Sequence, residues 1–162
     1  MTAQTEIAGV IAPPPLIALG VLVLGLALDW LWPLPFLRNL LGLPARLAIA
    51  GLAVALGLGI AVVAERTFHR LGTHALPWKP ALQLASTGIY AHTRNPMYLG
   101  LGLLVLGIGL ALGSVGTLLM LVPGALVLHH GVVLREERYL ERKFGDDYRR
   151  FKSEVPRYGW RW

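Results

Sequence analysis

The sequence predicts an all-α, polytopic integral membrane protein with about four transmembrane helices and an amphipathic C-terminal helix at one membrane face. Three observations carry this reading. Hydrophobic residues make up 55% of the 162 and charged residues only 15%, against about 25% in ordinary soluble domains. Long apolar runs recur, of the order of the ~20 residues that a helix needs to cross a bilayer core. The charges are also gathered: of the 15 Lys and Arg, all but Arg38 and Arg46 fall in two blocks, Glu65 to Arg94 and Arg135 to Trp162. Beside apolar runs, such a bias reads as cytoplasmic loops facing anionic lipid rather than as a nucleic-acid surface. The length fits one membrane domain over residues 1–162.

The segment Met1 to Glu6 lacks the positive n-region of a signal peptide, so the first apolar run is expected to be a retained span. Pro13-Pro14-Pro15 gives a stiff entry, and proline is tolerated where a helix begins. The first span is expected over about 16–36. Trp30 and Trp32 suit the interface, and Asp29 reads as an interfacial, solvated carboxylate. Arg38 and Asn39 lie in a connection. The second span covers 45–64, with Gly51, Gly57 and Gly59 as close-packing positions. Glu65 to Arg70 continues that helix into the interface, and Gly72 is placed to end it. His74 to Gln83, with Pro77 and Pro80, reads as an ordered loop that Trp78 and Lys79 anchor.

Leu99 to Leu134 carries no charge. As one helix it would be about 54 Å long at ~1.5 Å per residue, far more than a bilayer core. Gly113-Ser114-Val115-Gly116 supplies a turn, so a hairpin of two spans follows, 97–112 and 117–134, with a kink expected at Pro123. Arg135 to Lys152 reads as one helix. On it Leu140, Phe144, Tyr148 and Phe151 form an apolar stripe, and Val155-Pro156-Arg157 ends it. Trp160 and Trp162 read as interfacial. The hairpin returns the chain to its starting side and brings the polar segments 73–98 and 135–162 together.

The two segments offer a site for a small ligand with cationic and polar groups. Glu136 and Glu137 supply charge-assisted acceptors, and Tyr90 and Tyr98 supply hydroxyls and ring faces for a cation. Pro96 interrupts the helix, which exposes backbone. Arg94 is the candidate catalytic residue, placed either to orient an acidic head group or to pair with Glu136 or Glu137. Tyrosines, arginines and a Glu pair at a helix start are also ordinary at a membrane surface. There is no cysteine, hence no disulfide or thiolate site. The five histidines lack metal-ligand spacing, so no metal is expected. No phosphate-binding glycine loop occurs.

Taken together and in order, Gly88-x-Tyr90-x3-Arg94-Asn95-Pro96-x-Tyr98-x-Gly100, Glu136-Glu137, Phe144-Gly145-x2-Tyr148 and Val155-Pro156-Arg157 resemble the isoprenylcysteine carboxyl methyltransferase family and the related membrane phospholipid methyltransferases. The resemblance covers roughly Thr73 to Arg157. It implies a helical membrane enzyme that uses S-adenosyl-L-methionine and acts on a lipophilic acceptor, an isoprenylcysteine-like carboxylate or a phospholipid head group. It implies cofactor contacts at Leu82, Gln83, Leu84, Ala85, Tyr90, Asn95, Pro96, Met97, Tyr98, Glu136 and Glu137. Asn95 stands where the family usually has histidine. Val132 stands where the eukaryotic isoprenylcysteine enzymes hold their substrate with an arginine. The lipid bilayer and the acceptor are the expected partners, with no nucleic acid, in a bacterial or archaeal cell membrane with the site facing the cytoplasm. The alternatives are a non-catalytic membrane protein keeping this fold, and a small transporter. A transporter would carry more polar residues within its spans.

Overall fold

The computed structural model describes residues 7–73 and 79–161. The expectations for Met1 to Glu6, for Trp78 and the loop before it, and for Trp162 lie outside the described residues. The described residues form α-helices joined by turns, with no strand among them. The elements are α1 (Pro14–Leu31), α2 (Phe36–Leu40), α3 (Leu43–Arg70), a 3₁₀ turn (Gly88–Ala91), α4 (Pro96–Leu112), α5 (Val115–Leu128), a π-helical turn (His129–Val133), α6 (Leu134–Phe144) and α7 (Asp146–Glu154). Helices α1, α3 and the continuous helix that starts at Val115, uncharged as far as Leu134, are long and apolar enough to cross a membrane, and α4 is a shorter apolar helix of 17 residues. Leu24, Leu52 and Val122 are among many large apolar side chains left exposed on their flanks. In water such a belt would be costly; against lipid it is not.

Glycines set how closely the helices approach. A Cβ at Gly57 would sit 2.7 Å from the carbonyl oxygen of Gly100, and one at Gly100 would sit 2.8 Å from that of Gly57. The α3–α4 contact is therefore backbone on backbone. Gly25 and Gly116 bring α1 and α5 together in the same way. A Cβ at Gly51 or Gly59 would meet nothing within 4 Å, so of the three glycines expected to pack, only Gly57 does. The other two lie on faces turned from the neighbouring helices.

Helix α1 stops at Leu31, short of residue 36. Pro33 and Pro35 cannot donate to a continuing ladder, and Phe36–Leu40 forms its own short helix. The turn at Gly113-Ser114 is where the sequence puts it. Gly113 has φ +65°, and the Ser114 hydroxyl accepts from the amide of Thr117 at 2.9 Å. Asp29 is not a solvated carboxylate. It accepts from the Ser114 hydroxyl and, at 2.7 Å, from the amide of Gly116, so it caps the N-terminus of α5. Arg38 donates to the carbonyl of Leu112 at 3.3 Å, and buried Arg46 lies against Gly113. The two arginines stranded from the basic blocks thus sit at the negative C-terminal end of α4.

The other end carries the polar segments. Gly72, with φ +62°, ends α3, as the Thr73 amide reaches back to the carbonyl of Phe68 at 3.2 Å. The regular ladder after Pro123 gives way at His129–Val133, six residues beyond the proline, in a π turn. Helix α6 runs on from that turn, so Glu136 and Glu137 lie inside a continuous helix and not at a helix start. The expected single helix over 135–152 breaks at Gly145 (φ +54°, ψ −122°). Its stripe survives the break: Tyr148 and Phe151 pack with Leu140, Phe144, Leu84 and Val155.

Candidate functional site

The floor of the site is the segment that enters α4. Gly88 (φ +60°) turns the chain beside Thr67, where a side chain would meet the threonine hydroxyl at 3.3 Å. The 3₁₀ turn then buries Tyr90 edge-on against Phe68, with ring centroids 5.1 Å apart. Asn95 precedes α4 outside helical geometry (φ −129°, ψ 52°), and Pro96, fully buried, takes the first helical position where its missing N–H costs nothing. Further along the first turn, Tyr98 faces α6 and donates its hydroxyl proton to Glu136 Oε1 at 2.6 Å.

A cleft of about 850 Å³, its open mouth included, lies between this segment, α6, α7 and the loop 79–85. Gln83, Leu84, Ala85, Tyr90, Asn95, Met97, Tyr98, Glu136 and Glu137 line it, together with Arg94. Of the residues that the sequence singles out, two stand apart. Leu82 is exposed, its amide donating to the Thr73 hydroxyl at 2.8 Å, and Pro96 is buried behind the wall. The two polar blocks, 38 residues apart between Tyr98 and Glu136, therefore meet at one cleft.

The glutamates differ sharply in their partners. Glu137 is buried and fully engaged. Arg94 donates to its Oε1 at 2.8 Å, and the guanidinium of Arg157 grips both oxygens, at 2.7 and 2.8 Å. Arg94 thus pairs with Glu137, one of the alternatives left open by the sequence. Glu136, in α6 beyond the apolar span, has only the Tyr98 hydroxyl as a partner among the described residues. Burial, aided by the charge of Glu137 and opposed by the Tyr98 hydrogen bond, pushes its carboxyl up to about 7. Burial also pushes the Tyr148 phenol up to about 12, with Glu137 adding to the effect, and raises Tyr90 far above its ordinary range. Both phenols are neutral hydrogen-bonding groups throughout the physiological range.

Several lining residues escape a motif search. Phe68 from α3, Val133 from the π turn, and Leu140, Tyr148 and Phe151 all face the cleft. The last three are visible in the sequence as a stripe, but a stripe alone reads as packing. Tyr139 is buried, lines the cleft, and accepts the amide proton of Ala81 at 3.0 Å. It ties the loop 79–85 to α6, a link that no local pattern announces. Val132 is completely buried within the π turn, so no charged group occupies that position.

Residues 45–147, well over half of the chain, match the family of phospholipid methyltransferases. The chain belongs to the phospholipid methyltransferase family. The matched segment runs from α3 through α6 to the first residues of α7, and it contains most of the cleft. An uncharacterized protein of Haemophilus influenzae is 45% identical over 62 residues, which is 38% of this chain and 98% of that protein. No solved structure matches the chain. Family membership and the apolar helices together make this a membrane methyltransferase.

Proposed function

We propose that the protein is an S-adenosyl-L-methionine-dependent methyltransferase that modifies a lipophilic acceptor at the cytoplasmic face of the membrane. The observation that carries the reading is Glu136: a half-buried side chain in the cleft whose one partner among the described residues is a neutral phenol. No cation among the described residues pairs with it, and the walls around it are a mixture of aromatic, apolar and a few polar side chains, as in small-molecule sites generally. The donor set fits a ligand that is both cationic and amphiphilic.

Glu136 would hold the positive charge of the cofactor, with the Tyr98 hydroxyl fixing the carboxylate's orientation. Tyr90 and Tyr98 would offer ring faces to a cation, and Phe68, Met97 and Leu140 would exclude water. When bound, the cofactor supplies a methyl group already activated on sulfonium sulfur. The work left to the chain is alignment of acceptor with donor and removal of water from between them. Among acceptors, an amine-bearing phospholipid head group is favoured over a prenylcysteine carboxylate. The family description points that way, and Val132 leaves no arginine to hold a carboxylate at that position.

Calorimetry on the detergent-purified protein tests the reading. Saturable S-adenosylmethionine binding that both Glu136→Ala and Tyr98→Ala weaken supports it, and transfer of labelled methyl to an ethanolamine phospholipid in mixed micelles then identifies the acceptor. Absence of binding by a folded, monodisperse sample would leave a non-catalytic member of the family.

A further inference from the structure

The chain after α7 returns to the site. Pro156 to Arg161 runs beside His92 to Asn95 and is tied to it repeatedly. The Arg94 amide donates to Pro156 O at 3.0 Å and the Arg161 amide to His92 O at 2.8 Å. The Asn95 side-chain amide donates to Arg157 O at 3.1 Å. The His92 ring nitrogen Nδ1 lies 2.9 Å from Arg161 O, which requires the proton on Nδ1, and the Trp160 ring stacks on that imidazole at 4.6 Å with planes 5° apart. Tyr158 reaches His129 of the π turn at 2.9 Å. This segment lies beyond residues 45–147 that match the family, and it does not line the cleft.

One of the strap's own side chains, that of Arg157, grips a residue of the cleft. Arg157 donates from Nε and Nη2 to the two oxygens of Glu137, while Arg94 shares only Oε1. Two arginines on one carboxylate leave a surplus positive charge 43 residues from Glu137 along the chain, on Arg94, whose buried Nε has no partner among the described residues. Without Arg157, Glu137 would hold Arg94 by one contact with its second oxygen bare. Arg94 would then be free to turn to the nearest other carboxyl in the cleft, that of Glu136. An internal arginine on Glu136 would occupy the place of a cationic ligand.

We infer that Arg157 is a positioning residue: its fork on Glu137 locks the Arg94–Glu137 pair in place and so keeps Glu136 open for the ligand's positive charge. The inference rests on the cofactor reading proposed above. A planar, two-point grip is what a guanidinium gives and an ammonium does not. The conservative Arg157→Lys exchange therefore keeps the charge and loses the lock.

The test compares full-length wild type with Arg157→Gln, Arg157→Lys, Glu137→Gln, the double variant Arg157→Gln/Glu137→Gln, and Arg149→Gln as a control that breaks only exposed pairs of α7. Two readouts are taken: S-adenosylmethionine dissociation constants, and hydrogen exchange of the ligand-free protein. Arg157→Gln and Arg157→Lys are both expected to weaken binding about tenfold. Exchange should quicken in residues 88–98 while α1 and α5 stay as in wild type. The double variant should bind as Glu137→Gln alone does, since Arg157 acts only through that carboxylate. Arg149→Gln should match wild type in both readouts. Wild-type affinity in Arg157→Lys, or a loss in the double variant equal to the sum of two independent losses, would overturn the inference. So would unchanged exchange in 88–98. The exchange arm judges the strap without ligand, so a wild type that binds no cofactor overturns the proposed function through a separate result.

Discussion

Glu136 and Glu137 are neighbours of the same type, and the fold gives them opposite tasks. Glu137 is neutralised twice over, and removing it strands Arg94 and Arg157. Glu137→Gln is expected to lower stability by about 3 kcal/mol, the range for breaking one side of a buried ion pair, visible as an earlier thermal transition in detergent. Glu136→Gln keeps an acceptor for the Tyr98 hydroxyl and relieves a buried carboxyl, so its melting temperature should stay close to wild type. Its affinity for S-adenosylmethionine should fall about 10- to 100-fold, the worth of a charge-assisted contact of roughly 1.5–3 kcal/mol. A pH titration separates the two further. With the Glu136 carboxyl at about 7 in the free protein, a cation binds only the ionised form. Affinity is then full above that pH and falls as pH drops below it, approaching tenfold per unit. In Glu136→Gln the slope between about pH 5 and 7 should vanish; a slope that persists would assign the titration to another group. The sequence shows two equal carboxylates here because the partner that tells them apart, Arg157, lies 20 residues on, past a helix break.

At the scale of elements, the helices are legible where apolar runs end in prolines, glycines or charge, as at Leu112 and Arg70. They are less so where a contact across the bundle decides. The glycines of α3 show why. Spacing along one helix does not say which face meets a neighbour, and only Gly57 lies opposite another glycine's backbone. Gly100→Ala should therefore destabilise by about 1–3 kcal/mol, as overpacking does, whereas Gly51→Ala, with open space around it, should be neutral or stabilise by up to about 1 kcal/mol through helix propensity. Unfolding in mixed micelles measures both; equal effects would contradict the backbone contact between α3 and α4. Asp29 teaches the same lesson. A lone acid near a span end reads as solvated until α5's N-terminus is placed against it, and Asp29→Ala is expected to cost about 1–2 kcal/mol as a lost cap. Gly145 stands in plain view inside a good helical pattern, but a periodic stripe that continues across a turn hides the break, since the same residues pack together on either side of it.

For the whole molecule the governing fact is that four apolar helices alternate in direction. Residues 7–13, residues 79–95 and the α6–α7 tail are thereby gathered at one end, and Asp29, Arg38 and Arg46 at the other. The proposed orientation, with the basic end in the cytoplasm, follows the charge bias, and Arg38 and Arg46 do not oppose it, because each is held against the C-terminal end of α4. The chain has no cysteine, so single introduced thiols report cleanly. Leu40→Cys, exposed in α2, and Arg138→Cys, exposed in α6, should behave oppositely in intact cells. A membrane-impermeant maleimide is expected to label the first directly and the second only after permeabilisation. The reverse pattern would put the cleft outside, where a cytoplasmic cofactor does not reach it, and would remove the physical basis of the proposed reaction even if the purified protein binds S-adenosylmethionine.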